Sequence, residues 1–178
     1  MQNFDFAVLD FIQNHLRSGA GDFLMPFISR LGDKGFIWIA AALLLVLFPR
    51  TRRLGVAVAA ALAIEIFLCN GLIKPLAARI RPYDINTGIQ MLVARPADYS
   101  FPSGHTAASF AAASALYFRR SGWWIPAGLL AALIALSRLY LYVHFPTDVL
   151  GGAALGILSG WLGERLTSLA AGRKNKIL

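Results

Sequence analysis

Three groups of polar residues stand at the ends of apolar segments: Lys74 with Arg81-Pro82, then Pro102-Ser103-Gly104-His105, then Ser137-Arg138 with His144 and Asp148. Together they supply three cations, two imidazoles, hydroxyl groups and a carboxylate. Such a set can grip a phosphate and attack it. Lys74 and Arg81 are seven residues apart, about two helical turns, so both can point to one side. Cations at the mouth of an apolar segment cost desolvation unless an anion meets them. Snorkelling to lipid headgroups is the other reading, and it suits Lys74, Arg79 and Arg81 equally.

In Pro102-Ser103-Gly104-His105, proline suits a first helical turn, and Ser103 and Gly104 leave backbone N–H groups free at a helix N-terminus. Free donors and the helix dipole attract anions there, and Gly104 lets the backbone approach closely. Simple capping by Ser103 and an interfacial role for His105 are the bland alternatives. From His144 to Asp148 the spacing of four lets a carboxylate reach a ring nitrogen, fixing the tautomer and stabilising positive charge on the imidazole. Asp148 would serve equally well as a helix cap.

The elements that must position these groups are hydrophobic helices. The chain has 178 residues, 57% hydrophobic, with the apolar residues gathered into long runs. That is the composition of an integral membrane protein of one domain, 1–178. Five segments read as helices: about 35–49, 54–78, 102–118, 122–143 and 146–168. The first is short for a span, but Lys34 and Arg50 can snorkel from its ends. Small residues in the third and fifth predict close packing at the bundle centre. Residues 4–17 are amphipathic, with Phe4, Val8, Phe11 and Ile12 on one face and Asp10, Gln13, Asn14 and Arg17 on another. They form an interfacial helix or an ordinary packing helix. The expected fold is therefore all-α: a polytopic transmembrane helical bundle of five to six spans, with an N-terminal amphipathic region at 1–31 and a helical core at 35–168.

The net charge of +8 comes from short inter-span loops, not from one continuous face, which argues against nucleic-acid binding. Arg50, Arg52, Arg53, Arg119, Arg120, Arg165, Arg173, Lys174 and Lys176 collect on one side, which the positive-inside rule makes cytoplasmic. Counting spans then puts all three polar groups on the opposite, extracytoplasmic, face. Cys69 is the only cysteine, so no intramolecular disulfide forms, and no cleavable signal peptide is expected at the N-terminus.

The three groups resemble the three-part signature of the type 2 phosphatidic acid phosphatase family of membrane lipid phosphatases. Lys74, six residues and Arg81-Pro82 match its first part; Pro102-Ser103-Gly104-His105 its second; Ser137-Arg138, five residues, His144, three residues and Asp148 its third. The resemblance implies that His144 attacks phosphorus to form a phosphohistidine and that Asp148 orients it. His105 would be the general acid and then the base that activates water. Lys74, Arg81, Arg138, Ser103 and the Gly104 amide would hold the phosphate oxygens.

No cofactor and no metal is expected. Two-metal phosphatases need several converging carboxylates, and near the polar groups the chain offers only Asp84, Asp98 and Asp148. Glu65, inside the second segment, is expected to face the interior in a structural role and find a polar partner such as a hydroxyl. The substrate implied is a lipid phosphate or pyrophosphate with its tail in the bilayer, undecaprenyl pyrophosphate first, with phosphatidylglycerophosphate, phosphatidate and lipid A as alternatives. The rival classes are a lipid phosphotransferase and a non-enzymatic anion or lipid transporter.

Overall fold

A computed structural model describes residues 2–174, all of whose regular elements are helical. Two short helices come first, α1 (Gln2–Phe11) and α2 (Gly19–Leu31). The Ser18 side chain caps α2 by accepting from the Gly21 N–H. A tight turn through Lys34 and Gly35, both with positive φ, leads into α3 (Phe36–Leu47). Next comes α4 (Arg52–Ile66), which continues through a π-helical stretch, Phe67–Ile73, into the single turn α5 (Lys74–Ala77). A second single turn, α6 (Pro82–Ile85), precedes the long connection that ends at Ser103. The last three helices are α7 (Gly104–Phe118), α8 (Trp124–Tyr140) and α9 (Pro146–Lys174).

Each of the five expected segments forms a helix, with shifted ends. The third starts at Gly104, two residues later than expected, because Ser103 is extended. The stretch Arg52–Ile85 is long and apolar enough to cross a bilayer by itself, whereas α8 is apolar but shorter. At 1.5 Å per residue, the 12 residues of α3 reach only about 18 Å.

The core is made of small residues. Ala57, Ala61, Ala107, Ala111, Ala115 and Ala131 have no exposed surface, and large apolar side chains point outward instead, among them Phe23, Leu47, Leu76, Leu129 and Leu169. That is the inverse of a soluble protein, and it suits a hydrocarbon surround that gives apolar side chains no reason to hide.

α7 and α9 run parallel, with a glycine seam between them. A Cβ on Gly152 would lie 2.6 Å from the Ser103 carbonyl oxygen, and one on Gly156 would lie 2.8 Å from Phe110 Cβ and overlap the Ala107 carbonyl. Gly160 abuts Ala111 and Ser114 in the same way, and Gly163 abuts Ala61 of α4. With no side chain in the way, the helices approach to backbone contact. The seam aligns the first turn of α7 with the first turns of α9, and those turns carry His105 and Asp148.

α1 turns Asp5 and Leu9 to the bundle and leaves Phe4 and Phe11 exposed, so its packing face is not its most apolar one. α2 lies across the end of α8: Gly21 abuts Tyr140, and Ser29 bonds Arg138. Ile89, Met91, Leu92 and Val93 of the long connection cap the bundle end, packed on Tyr83, Tyr140, Tyr142 and Phe145.

Candidate active site

One cavity of about 330 Å³ opens at the end of the bundle where α4, α7 and α8 bring their polar ends together. Lys74, Arg81, Gly104, His105, Arg138 and His144 all line it. The π-helical stretch, a form frequent at functional sites, delivers Lys74 to the N-terminus of α7. A Cβ on Gly104 would sit 3.8 Å from Lys74 Nζ, so the bare backbone faces the ammonium with no side chain of its own between them. Ser103 precedes the helix but makes no side-chain cap bond, which leaves the first N–H groups of α7 uncovered by that hydroxyl.

The cations are buried: Lys74 is 6% exposed, Arg81 3% and Arg138 4%. Burial of charge is costly unless partners are supplied. Asp98 partners two of them, accepting from Lys74 and, at 2.6 Å, from Arg81 Nη2. Burial works against this carboxylate's charge, but Lys74 and then Arg81 outweigh it and hold its pKa down at about 2. Arg138 is less well provided. Its Nη1 donates to Ser29 Oγ, and its buried Nε has no partner among the described residues. A guanidinium donor is thus left over at the wall of a cavity.

His144 sits on a strained turn. Tyr142, two residues before it, has φ 59° although it is a bulky residue. The surroundings enforce that backbone: the buried ring's hydroxyl donates to Asp10 at 3.2 Å and lies 3.3 Å from the Asn86 amide. His144 Nε2 lies 3.2 Å from Arg81 Nη1. Arginine can only donate, so Nε2 carries the lone pair and Nδ1 the proton. Nδ1 faces Asp148 Oδ2 at 3.5 Å, inside ion-pair range but too long for a directed hydrogen bond, and Nδ1 has no other partner among the described residues. Asp148 therefore acts on the ring through charge. Burial, and then the charges of Arg81, Arg138 and Lys74, push the His144 pKa well below its ordinary value. The ring is a neutral base at neutral pH, with its lone pair toward the cations.

Asp148 also fills the capping role that the sequence left open. Its Oδ2 accepts from the Phe145 N–H at 2.8 Å and from Ser100 Oγ, and Oδ1 accepts from Arg79 Nη1 at 2.5 Å. Arg79, which the sequence offered only as a snorkelling cation, is tied down. Its Nη2 donates to Asp5 at 2.7 Å, and Asp5 in turn accepts from Thr147 N–H and Oγ1. Asp5 and Asp148 have no exposed surface, so this ion-paired chain is a buried brace behind His144.

His105 lies across the cavity, with Nε2 2.8 Å from Asp33 Oδ1. Ser103 is placed differently from the other expected phosphate ligands. It is fully buried, its Oγ accepts from Thr106 at 3.0 Å, and it is not among the cavity-lining residues. Glu65 and Asn70 do line the cavity. Glu65 Oε1 has no hydrogen-bond partner among the described residues.

Spacing within the sequence therefore found the groups around the cavity and missed Asp5, Asp33, Arg79, Asp98 and Ser100, which steady them. Among the described residues no three His, Cys, Asp or Glu side chains gather as a metal-binding group.

Known proteins resemble this chain in sequence and fold. A family model described as the PAP2 superfamily matches residues 50–168. An undecaprenyl-diphosphatase of Sulfolobus acidocaldarius is 34% identical over 146 residues, 82% of this chain and 70% of that protein. The crystal structure of a transmembrane PAP2-type phosphatidylglycerolphosphate phosphatase from Bacillus subtilis is 26% identical, with a TM-score of 0.76 over 94% of this chain and 86% of that one. Aquifex aeolicus LpxE is 27% identical, with a TM-score of 0.78 over 91% and 95%.

Proposed function

Because the chain belongs to the PAP2 superfamily, we propose that it is a multi-pass membrane lipid phosphatase working through a phosphohistidine on His144. Its best substrate is a polyprenyl diphosphate such as undecaprenyl diphosphate, cleaved at the extracytoplasmic face. The observation that carries this reading is the cavity itself: Lys74, Arg81 and Arg138 are buried around it, and Arg138 keeps a donor in hand. Preorganised cations of this kind neutralise the charge on the equatorial oxygens of a transferring phosphoryl group.

In the first step the His144 Nε2 lone pair forms a bond to phosphorus as the bond to the leaving oxygen breaks. Protonated His105 gives its proton to that oxygen. In the second step water attacks the phosphohistidine, His105 takes the water's proton, and the P–N bond breaks to free phosphate and His144. Asp148 balances the positive charge that the imidazole ring carries while phosphorylated. Arg81 shifts its donor from Nε2 to a phosphate oxygen, and Asp98 gives up part of its hold on Lys74 and Arg81. The outward apolar side chains face lipid, and the exposed Phe4 and Phe11 lay α1 in the interface.

The relative from Sulfolobus supports a diphosphate, and the Bacillus structure supports phosphatidylglycerophosphate as the second choice. Phosphate release from undecaprenyl diphosphate, phosphatidylglycerophosphate, phosphatidate and lipid A, with wild type beside His144→Ala, tests the reading. Equal activity in the two proteins refutes the mechanism, and a preference for another lipid refutes the substrate.

A further inference from the structure

Asp33 lies outside the residues matched by the family model, on the turn between α2 and α3. It is half-exposed, and a surface ion pair of that kind contributes little to folding. Yet the turn is built closely onto His105. A Cβ on Gly32 would lie 3.0 Å from His105 Cδ2 and 3.1 Å from Ile134 Cγ2. Lys34 and Gly35 follow with φ of 48° and 69°, so a lysine is held in the left-handed region beside a glycine that already occupies it. Strain of this sort persists where surrounding structure imposes it, and it concentrates at functional sites. Its result is a carboxylate 2.8 Å from Nε2 of an imidazole that itself lines the cavity, as does His144.

We infer that Asp33 is the positioning residue of the general acid: it holds His105 Nε2, fixes the orientation of the ring and favours its protonated form. This rests on the phosphatase reading above. Nε2–H stays on Asp33, and Nδ1–H is the proton passed to the leaving oxygen. The site then contains two imidazole–carboxylate pairs with opposite tasks. Asp148 serves the ring that attacks, and Asp33 serves the ring that delivers the proton.

Such a residue matters in proportion to how badly the leaving group needs a proton. The test compares kcat/KM, which covers the steps through departure of the leaving group, for decyl phosphate and 4-decylphenyl phosphate in detergent micelles. The first expels an alkoxide and the second a much less basic phenoxide. Asp33→Asn is expected to lower kcat/KM for decyl phosphate about 10- to 100-fold, part of the range typical of general acids, and for the phenyl ester less than about threefold. Asp33→Glu is expected to recover part of the loss. In a His105→Ala background, Asp33→Asn should change neither value, because two residues acting through one step are not additive. An equal loss on both substrates, or no loss on decyl phosphate, overturns the inference. His144→Ala, assayed alongside, separates the two failures. If it keeps activity, the phosphatase mechanism falls; if it is inactive while Asp33→Asn is unaffected, only the role of Asp33 falls.

Discussion

Gly152→Ala is the most economical way to ask whether the α7–α9 seam sets the geometry of the site. The added Cβ would stand 2.6 Å from the Ser103 carbonyl oxygen, about 0.8 Å short of the 3.4 Å at which ordinary contact begins. The obstacle is backbone, so a rotamer change gives no relief. The two helices must part by about that distance at the level where α7 begins. The Ser103 N–H to Asp148 carbonyl bond, 3.0 Å in the native protein, spans this gap and would be stretched beyond hydrogen-bonding range. His105 rides on α7, while His144 and Asp148 are attached to the start of α9, so acid and nucleophile separate. A misplacement near 1 Å costs about 100-fold in rate, and overpacking of a close-packed core costs about 1–3 kcal/mol of stability. Gly152→Ala should therefore retain a folded, detergent-soluble protein with a lowered unfolding temperature and a kcat reduced about 10- to 100-fold. Gly172→Ala is the control, since a Cβ there meets nothing within 4 Å. It should leave activity unchanged and, by helix propensity, stabilise the helix slightly. A Gly152→Ala protein within twofold of wild-type activity would refute the idea that backbone contact fixes the site.

Arg79→Gln leaves Asp5 and Asp148 buried without their shared cation, and breaking a buried pair costs about 3–5 kcal/mol. It should lower both the unfolding temperature and kcat/KM, and normal values for both would discard the brace. His144 must be unprotonated to attack, and burial and the neighbouring cations depress its pKa, so activity should persist as pH falls past 6.5, the ordinary histidine value. The same depression means that the unfolded chain takes up a proton there that the native ring refuses. Stability should therefore begin to fall below about pH 6.5, measured by thermal unfolding across pH. Asp98 occupies Lys74 and Arg81, the cations proposed to bind phosphate, so Asp98→Asn should lower the inhibition constant for inorganic phosphate severalfold in a competition assay. Its own depressed pKa adds stability that is complete above about pH 4 and is lost as pH falls toward 2. Phosphate release in EDTA should equal that in Mg²⁺, and collapse in EDTA would replace the arginine–lysine clamp by a metal.

The groups around the cavity were legible because each cluster is local. Lys74 with Arg81, Ser103 with His105, and His144 with Asp148 lie within seven residues of each other, so closeness in sequence implies proximity. The helix expected to carry Lys74 on to Arg81 nevertheless breaks at Ala78, and His144 stands outside the helices. Their supporting residues carry no such signal. Asp5 is 142 residues from Thr147, Arg79 is 69 from Asp148, and Asp33 is 72 from His105. Only the fold joins them. Asp98 was within reach, as a carboxylate just ahead of the Ser-Gly-His run on the longest connection. Helix identity was read correctly from apolar runs. Which face of α1 turns inward was not legible, because amphipathicity does not say whether the apolar side meets core or lipid. Where lipid surrounds the bundle, a buried ion pair decides instead, and Phe4 and Phe11 can stay outside.

The Asp5–Arg79–Asp148 brace has a consequence for how the protein is made. Synthesis delivers Asp5 first, Arg79 midway and Thr147 with Asp148 near the end. Until then the early carboxylate and the mid-chain guanidinium lack their third partner, and His144, made just ahead of it, has no carboxylate beside it. The first helix thus waits at its post for the last one. A nascent chain halted before α9 already carries His144 but lacks the Asp148 carboxylate behind it, however well its earlier helices have inserted. The competence to cut a phosphate ester arrives in one event, when the final helix docks.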